Sequence, residues 1–96
     1  MIQIEGRKFT RDGEGIGWVD GSQVYDSDGR NVGYFEDEKV YSKNGVKLAY
    51  FKGDYVYFDN GEKMNLEKLH EVVSGRGQTS DLVRAAAWVL LGMEKK

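Results

Sequence analysis

Ninety-six residues, 40% of them hydrophobic and 31% charged, describe one folded domain able to bury roughly 60–65% of its unfolded surface. With no cysteine and a single histidine, His70, the chain has no means to build a disulfide framework, a thiolate site or a multi-histidine zinc centre. A formal net charge of −2, with acids and bases interleaved, argues against a strong nucleic-acid binder, which usually carries a basic patch. An acidic DNA mimic would need far more negative charge.

The first residues, Met1 to Arg7, lack the basic start and apolar run of a secretory signal, so a cytoplasmic location is expected. Ile4-Glu5-Gly6-Arg7 spells a protease site, but Ile2 and Ile4 alternate as strand residues do and are read as such. The longest apolar stretch, Ala85 to Leu91, is far short of the roughly 20 residues that span a bilayer, and no membrane partner is expected.

A repeat dominates the chain as far as Met64. Gly13, Gly29, Gly45 and Gly61 stand 16 residues apart, each behind Asp12, Asp28, Asn44 or Asn60. Asp-Gly and Asn-Gly are strong hairpin signals because both residues tolerate positive φ. An aromatic precedes each glycine by four (Phe9, Tyr25, Tyr41, Tyr57), and Ile16, Val32, Leu48 or Met64 comes three after it. Next come a small residue (Gly17, Gly33, Ala49), a large aromatic (Trp18, Tyr34, Tyr50), then Val19, Phe35 or Phe51. Val24, Val40 and Val56 open the last three units, and no proline interrupts any of them. Each unit reads as strand, Asx-Gly turn, strand, and a second turn at Asp20-Gly21, Glu36-Asp37 or Lys52-Gly53.

The expected fold is therefore mainly β: four 16-residue antiparallel hairpins over residues 1–64, closing as a pseudo-fourfold flower or barrel-like meander. Closure would remove exposed sheet edges. The small column marks a close backbone approach.

From Asn65 the pattern turns helical, and residues 65–96 form a tail packed on the flower or on a partner chain. Asn65 is placed to cap a helix with Leu66, Leu69 and Val73 on one face, broken at Ser74-Gly75-Arg76-Gly77. Thr79 or Ser80 caps a second helix, with Asp81 in its first turn and Gly92 as its stop. Leu82, Val83, Ala86, Trp88, Val89, Leu90 and Leu91 make that helix apolar nearly all round, which predicts a homodimer interface.

The run Val24-Tyr25-Asp26-Ser27-Asp28-Gly29-Arg30-Asn31-Val32-Gly33-Tyr34-Phe35, repeated from Val40-Tyr41 to Tyr50-Phe51, resembles the bacterial 4-fold β-flower proteins. The resemblance covers about Phe9 to Met64. WG- and MORN-type repeats are more distant relatives in pattern. What the resemblance implies is a fold, four hairpins set like petals, and no catalytic residues.

Candidate sites are few. His70 lies near Glu67 and Glu71 but has no nucleophile in recognisable spacing, so a surface or packing role is expected. Glu36-Asp37-Glu38 and Asp26-Ser27-Asp28-Gly29 faintly evoke calcium loops, yet neither has the ligand spacing, and both read as turns. The stretch from Gly75 to Ser80, with Arg76, precedes a helix N-terminus and offers an anion site as the alternative to a plain linker. Trp18, Tyr34 and Tyr50, with the ring of Phe9, Tyr25, Tyr41 and Tyr57, would line an axial aromatic pocket under fourfold symmetry, core packing being the default.

The sequence thus predicts a non-enzymatic interaction or structural module without cofactor or metal, associating with itself or another protein. A small-ligand or anion binder is the second reading, and a small phage or mobile-element inhibitor of a host protein the third.

Overall fold

The computed structural model describes residues 2–75 and 80–92. Within them, ten strands form one sheet, nine of which run antiparallel in chain order. They are β1 (Ile2–Glu5), β2 (Lys8–Arg11), β3 (Glu14–Asp20), β4 (Gln23–Asp26) and β5 (Asn31–Glu36). β6 (Lys39–Ser42), β7 (Lys47–Lys52), β8 (Tyr55–Phe58) and β9 (Lys63–Asn65) continue the meander. Helix α1 (Leu66–Val72) leads to β10 (Val73–Gly75), and α2 (Asp81–Ala87) runs on into a π-helical turn, Trp88–Gly92. The expected mainly-β fold with two C-terminal helices is what forms.

Ten strands laid flat at the usual spacing of about 4.8 Å would measure roughly 45 Å across. The protein measures 30 × 28 × 28 Å, so the sheet curls round on itself. It does not close. β9 and β10 are its two edges, each three residues long, and α1 runs directly from one to the other.

The fourfold repetition shows in a recurring backbone brace. The N–H of Val19 donates to the carbonyl of Arg7, Phe35 to Ser22, Phe51 to Glu38 and Leu66 to Asp54, all at 2.9–3.0 Å. These pairs also correct the sequence alignment at both ends of the array. Leu66, not a residue of the β9 strand, occupies the position of Val19, Phe35 and Phe51.

Two local changes of length explain this. In units two and three the strand after the turn carries a β-bulge at Val32 and Leu48, as β3 does at Ile16. β9 carries none: Val56 faces Met64 and Tyr57 faces Lys63 without a shift. The first loop, in turn, is shorter than the next three. Arg11 pairs with Glu14 across Asp12-Gly13, both at positive φ, as a two-residue type I′ turn demands.

In the later units Asp26, Ser42 and Phe58 pair with Arg30, Val46 and Glu62 around three-residue loops. There only Gly29, Gly45 and Gly61 take positive φ. Phe9 therefore faces Gly17 just as Val24 faces Gly33 and Val40 faces Ala49. It belongs to the inward valine column, fully buried, and not to the tyrosine column.

The second turns are also displaced by one residue from the sequence reading. Their central pairs are Gly21-Ser22, Asp37-Glu38 and Gly53-Asp54. Asp37 and Glu38 both stand at positive φ; the neighbouring turns place a glycine at the first of these positions only, and their second residues, Ser22 and Asp54, are not at positive φ.

Asn65 caps α1 as expected, its Oδ1 accepting from the Lys68 N–H at 2.7 Å. Val73 does not extend that helix. Its N–H closes the last turn onto the Leu69 carbonyl, its backbone is already extended, and Val73–Gly75 pairs parallel with Ile2–Ile4. Two β-branched valines in succession favour that exit into a strand. Ser74-Gly75 thus forms a sheet edge where the sequence suggested an interhelical break.

Candidate functional site

The curled sheet has two faces, and side-chain alternation assigns each residue to one of them. Inward go Phe9, Val24, Val40 and Val56, all fully buried, with Gly17, Gly33 and Ala49 beside them. The space they surround is filled by the chain's own second helix. Ser80 caps it, its Oγ accepting from the Val83 N–H at 3.2 Å. Ala85, Ala86 and Ala87 have no exposed surface at all. Three consecutive residues cover more than half the circumference of a helix, so α2 is walled in by the curled sheet.

The small column is where the helix comes closest. A Cβ on Gly33 would sit 2.7 Å from Leu90 Cδ2, and one on Gly17 would sit 2.7 Å from Leu91 Cδ1. Either Cβ would also collide with backbone, the carbonyl of Tyr41 or of Tyr25. Leu82, Val83, Trp88, Val89, Leu90 and Leu91 are all half-buried against the same core. Of the residues expected at a dimer interface, Ala86 is fully buried in this core and the others pack against it with part of their surface exposed.

The aromatic columns face the other way. Trp18, Tyr34 and Tyr50 do not ring the axis; they stand on the outer face, each stacked on its cross-strand partner. Ring centroids lie 5.7 Å apart for Trp18–Tyr25, 5.0 Å for Tyr34–Tyr41 and 5.3 Å for Tyr50–Tyr57, with planes within 16° of parallel. The physical reason is the strand period of two: with Val24, Val40 and Val56 inside, the tyrosine after each must point out. The expected axial aromatic pocket is therefore absent among the described residues, and an outer aromatic girdle stands in its place.

Lysines join that girdle. Lys47 Nζ lies 4.8 Å above the Tyr50 ring, and Lys63 Nζ lies 4.6 Å from the Tyr55 ring and 5.9 Å from Tyr57. Neither contact was visible from sequence spacing. In a regular strand Lys47 and Tyr50 point to opposite faces; the bulge at Leu48 turns them to the same one. That bulge accounts for the Lys47 contact alone; Lys63 reaches its rings by direct cross-strand pairing with Tyr57.

His70 joins α1 to α2. Its Nε2 lies 2.6 Å from Asp81 Oδ1, and the same oxygen accepts from Arg84 Nη1 at 3.1 Å. A histidine–carboxylate pair is half of a catalytic relay, but the hydroxyl of Ser80, next to Asp81 in the chain, is already engaged as the helix cap. Asp81 also lines an open groove of about 380 Å³ with Glu38, Phe51, Lys52, Leu66 and Leu82. No described group of three or more His, Cys, Asp or Glu is placed to hold a metal ion. Nor is any described helix long and apolar enough to cross a membrane.

Asp26 serves its own turn. Its Oδ1 accepts from the N–H groups of Asp28 and Arg30, at 2.9 and 3.0 Å. Ser42 Oγ accepts the matching pair one unit on, from Asn44 and Val46, each at 3.2 Å. Arg76 and the stretch after Gly75 proposed for anions lie outside the described residues.

With this geometry in view, residues 7–81 match the 4-fold beta flower protein family. The chain belongs to that family. The match runs past the four hairpins through α1 and β10 and stops at Asp81, where the axial helix begins. Its description names a fold and no activity. Nothing matches among curated proteins or solved structures.

Proposed function

We propose that this β-flower is a non-enzymatic interaction module whose partner meets the outer face of the sheet. The observation that carries the reading is the girdle: three stacked aromatic pairs displayed on short, tightly turned hairpins. Trp18 and Tyr55 each keep 37% of their surface exposed. Aromatic side chains contribute large apolar area at low entropic cost, which is why they concentrate at binding surfaces. Axial ligand binding finds less support, because α2 occupies the axis. An inhibitor of a host protein would use the same outer face.

Site-specific photo-crosslinking in cells tests the proposal. A benzophenone amino acid at position 55 or 18 is expected to give discrete adducts. The same group at position 3, on the outer face but away from the rings, is expected to give none. Adducts of equal yield at all three positions, or adducts only from position 88 on the helix, would refute it.

A further inference from the structure

The four lysines and four tyrosines on the second half of the sheet are gathered on one face by the fold. Strands β6 to β9 carry Lys39, Lys47, Lys52 and Lys63 and not one carboxylate. Strands β1 to β5 carry five carboxylates against Lys8 and Arg11. The acids of the second half, Asp37, Glu38, Asp54, Asp59 and Glu62, all lie in turns and loops at the rims. The strands are thereby sorted into a lysine sector and a carboxylate one, while residues 37–65 as a whole, turns included, balance five lysines against five carboxylates.

Within the lysine sector, paired tyrosines are flanked across the strands by lysines. Lys39 pairs with Tyr50, Tyr50 with Tyr57, and Tyr57 with Lys63. One row nearer the loops, Tyr34 pairs with Tyr41 and Tyr41 with Lys47. Tyr55 lies beside Tyr57, tilted at 52° with centroids 6.2 Å apart, and presents its ring to solvent.

We infer that this sector, Lys39 to Lys63 on the outer face, binds single-stranded nucleic acid. The inference rests on the outer-face reading above and names its ligand class. Lysines at strand spacing neutralise phosphates, and Tyr55, whose ring is tilted against its neighbour and not stacked on it, accepts an unstacked base of any sequence as Lys63 turns from the ring to a phosphate. A duplex hides its bases from such rings, and a convex sheet cannot wrap it. An anionic bilayer fits less well, because the sector lacks protruding aliphatic side chains. Among the described residues the exposed large hydrophobics are Trp18, Val46 and Tyr55.

Fluorescence anisotropy with a labelled oligothymidylate of about 15 nucleotides, long enough for one such site, tests this on the full chain. Binding is expected at or below about 100 µM, the weak end of the non-specific range. It should weaken about 20- to 50-fold between roughly 50 and 200 mM salt, as three or four neutralised phosphates require on a single strand. Lys47→Glu with Lys63→Glu should abolish it at an unchanged melting temperature, and Tyr55→Ala should weaken it about fivefold or more. Lys8→Glu, on the acidic half, should leave it as it was.

Absence of binding at the lower salt, equal affinity for a duplex, or indifference to the lysine reversals would each overturn the inference. So would sedimentation with vesicles containing phosphatidylglycerol in place of oligonucleotide binding. Crosslinks from position 55 to protein alone would remove the nucleic acid and leave the interaction module standing.

Discussion

Leu90 packs onto Gly33 with its Cδ2 only 2.7 Å from where a Cβ would stand, and Leu91 does the same to Gly17. This pair of contacts seats the axial helix and explains why the third column residue is no larger than Ala49. Gly33→Ala must displace both Leu90 and the Tyr41 carbonyl, so a loss of about 1–3 kcal/mol is expected, typical of overpacking. Chemical denaturation of Gly33→Ala, Leu90→Ala and the double variant checks it. A coupling of about 0.5 kcal/mol or more is expected between residues in such contact, and strict additivity would deny it.

The same contacts bear on assembly. Ala85–Ala87 and the Leu90 and Leu91 contacts are satisfied within one chain, so light scattering is expected to give a mass near 10.9 kDa; a mass twice that would mean the half-buried Leu82, Val83, Trp88 and Val89 pair with a second copy. Leu90→Asp should then unfold the protein rather than merely change its oligomeric state. A stable, folded Leu90→Asp variant would show that the helix is not part of the core.

Turn geometry makes a prediction of opposite sign at two sites. Gly45 at φ 88° is a position L side chains resist, and Gly45→Val should cost about 1–2 kcal/mol. Glu38 at φ 64° already bears such a cost, so Glu38→Gly should stabilise by about 0.5–1 kcal/mol. Thermal melts of both variants decide it. A destabilising Glu38→Gly would mean the Asp37-Glu38 turn is held by something other than its backbone.

Phe9 and Tyr25 share a column in the sequence and part company in the structure. Phe9 is fully buried, and Phe9→Ala should cost about 3–5 kcal/mol. Tyr25→Ala removes one partner of an outward stack and should cost about 0.5–1.5 kcal/mol beyond its modest buried area. Equal losses at the two positions would restore the fourfold alignment that the structure rejects.

The His70–Asp81 pair is half-exposed on both sides, which limits its stabilisation to about 1 kcal/mol or less. His70→Ala is expected to shift the melting temperature by only a few degrees. A collapse of the fold would assign the pair a larger part in docking α1 against α2.

Much of this architecture is legible in the chain. The glycine period of 16 reports the hairpins, Asn65 and Ser80 report the caps, and the small column reports the close approach. What escapes is whatever depends on a single residue of phase. The bulges at Ile16, Val32 and Leu48 and the short loop at Asp12-Gly13 reverse the side a residue faces without disturbing the repeat. That is why sequence spacing does not place Lys47 beside Tyr50, whereas the aromatics stand outside by simple alternation with the buried valines. The parallel strand β10 escapes for another reason: three residues carry too little pattern to distinguish an edge strand from a helix end.

Net charge conceals the lysine sector in the same manner, since a total of −2 says nothing about which strands carry the lysines. The inner face is closed by the chain's own helix, and the outer Lys/Tyr sector is the surface we propose for a partner. Backbone amide shift mapping by NMR during titration with oligothymidylate puts both halves of that statement to the test at once. Perturbations confined to Lys39–Ser42, Lys47–Lys52, Tyr55–Phe58 and Lys63–Asn65, with Ala85–Ala87 unmoved, are the predicted result. Perturbations centred on α1 and α2, or on β1 to β3, would contradict it.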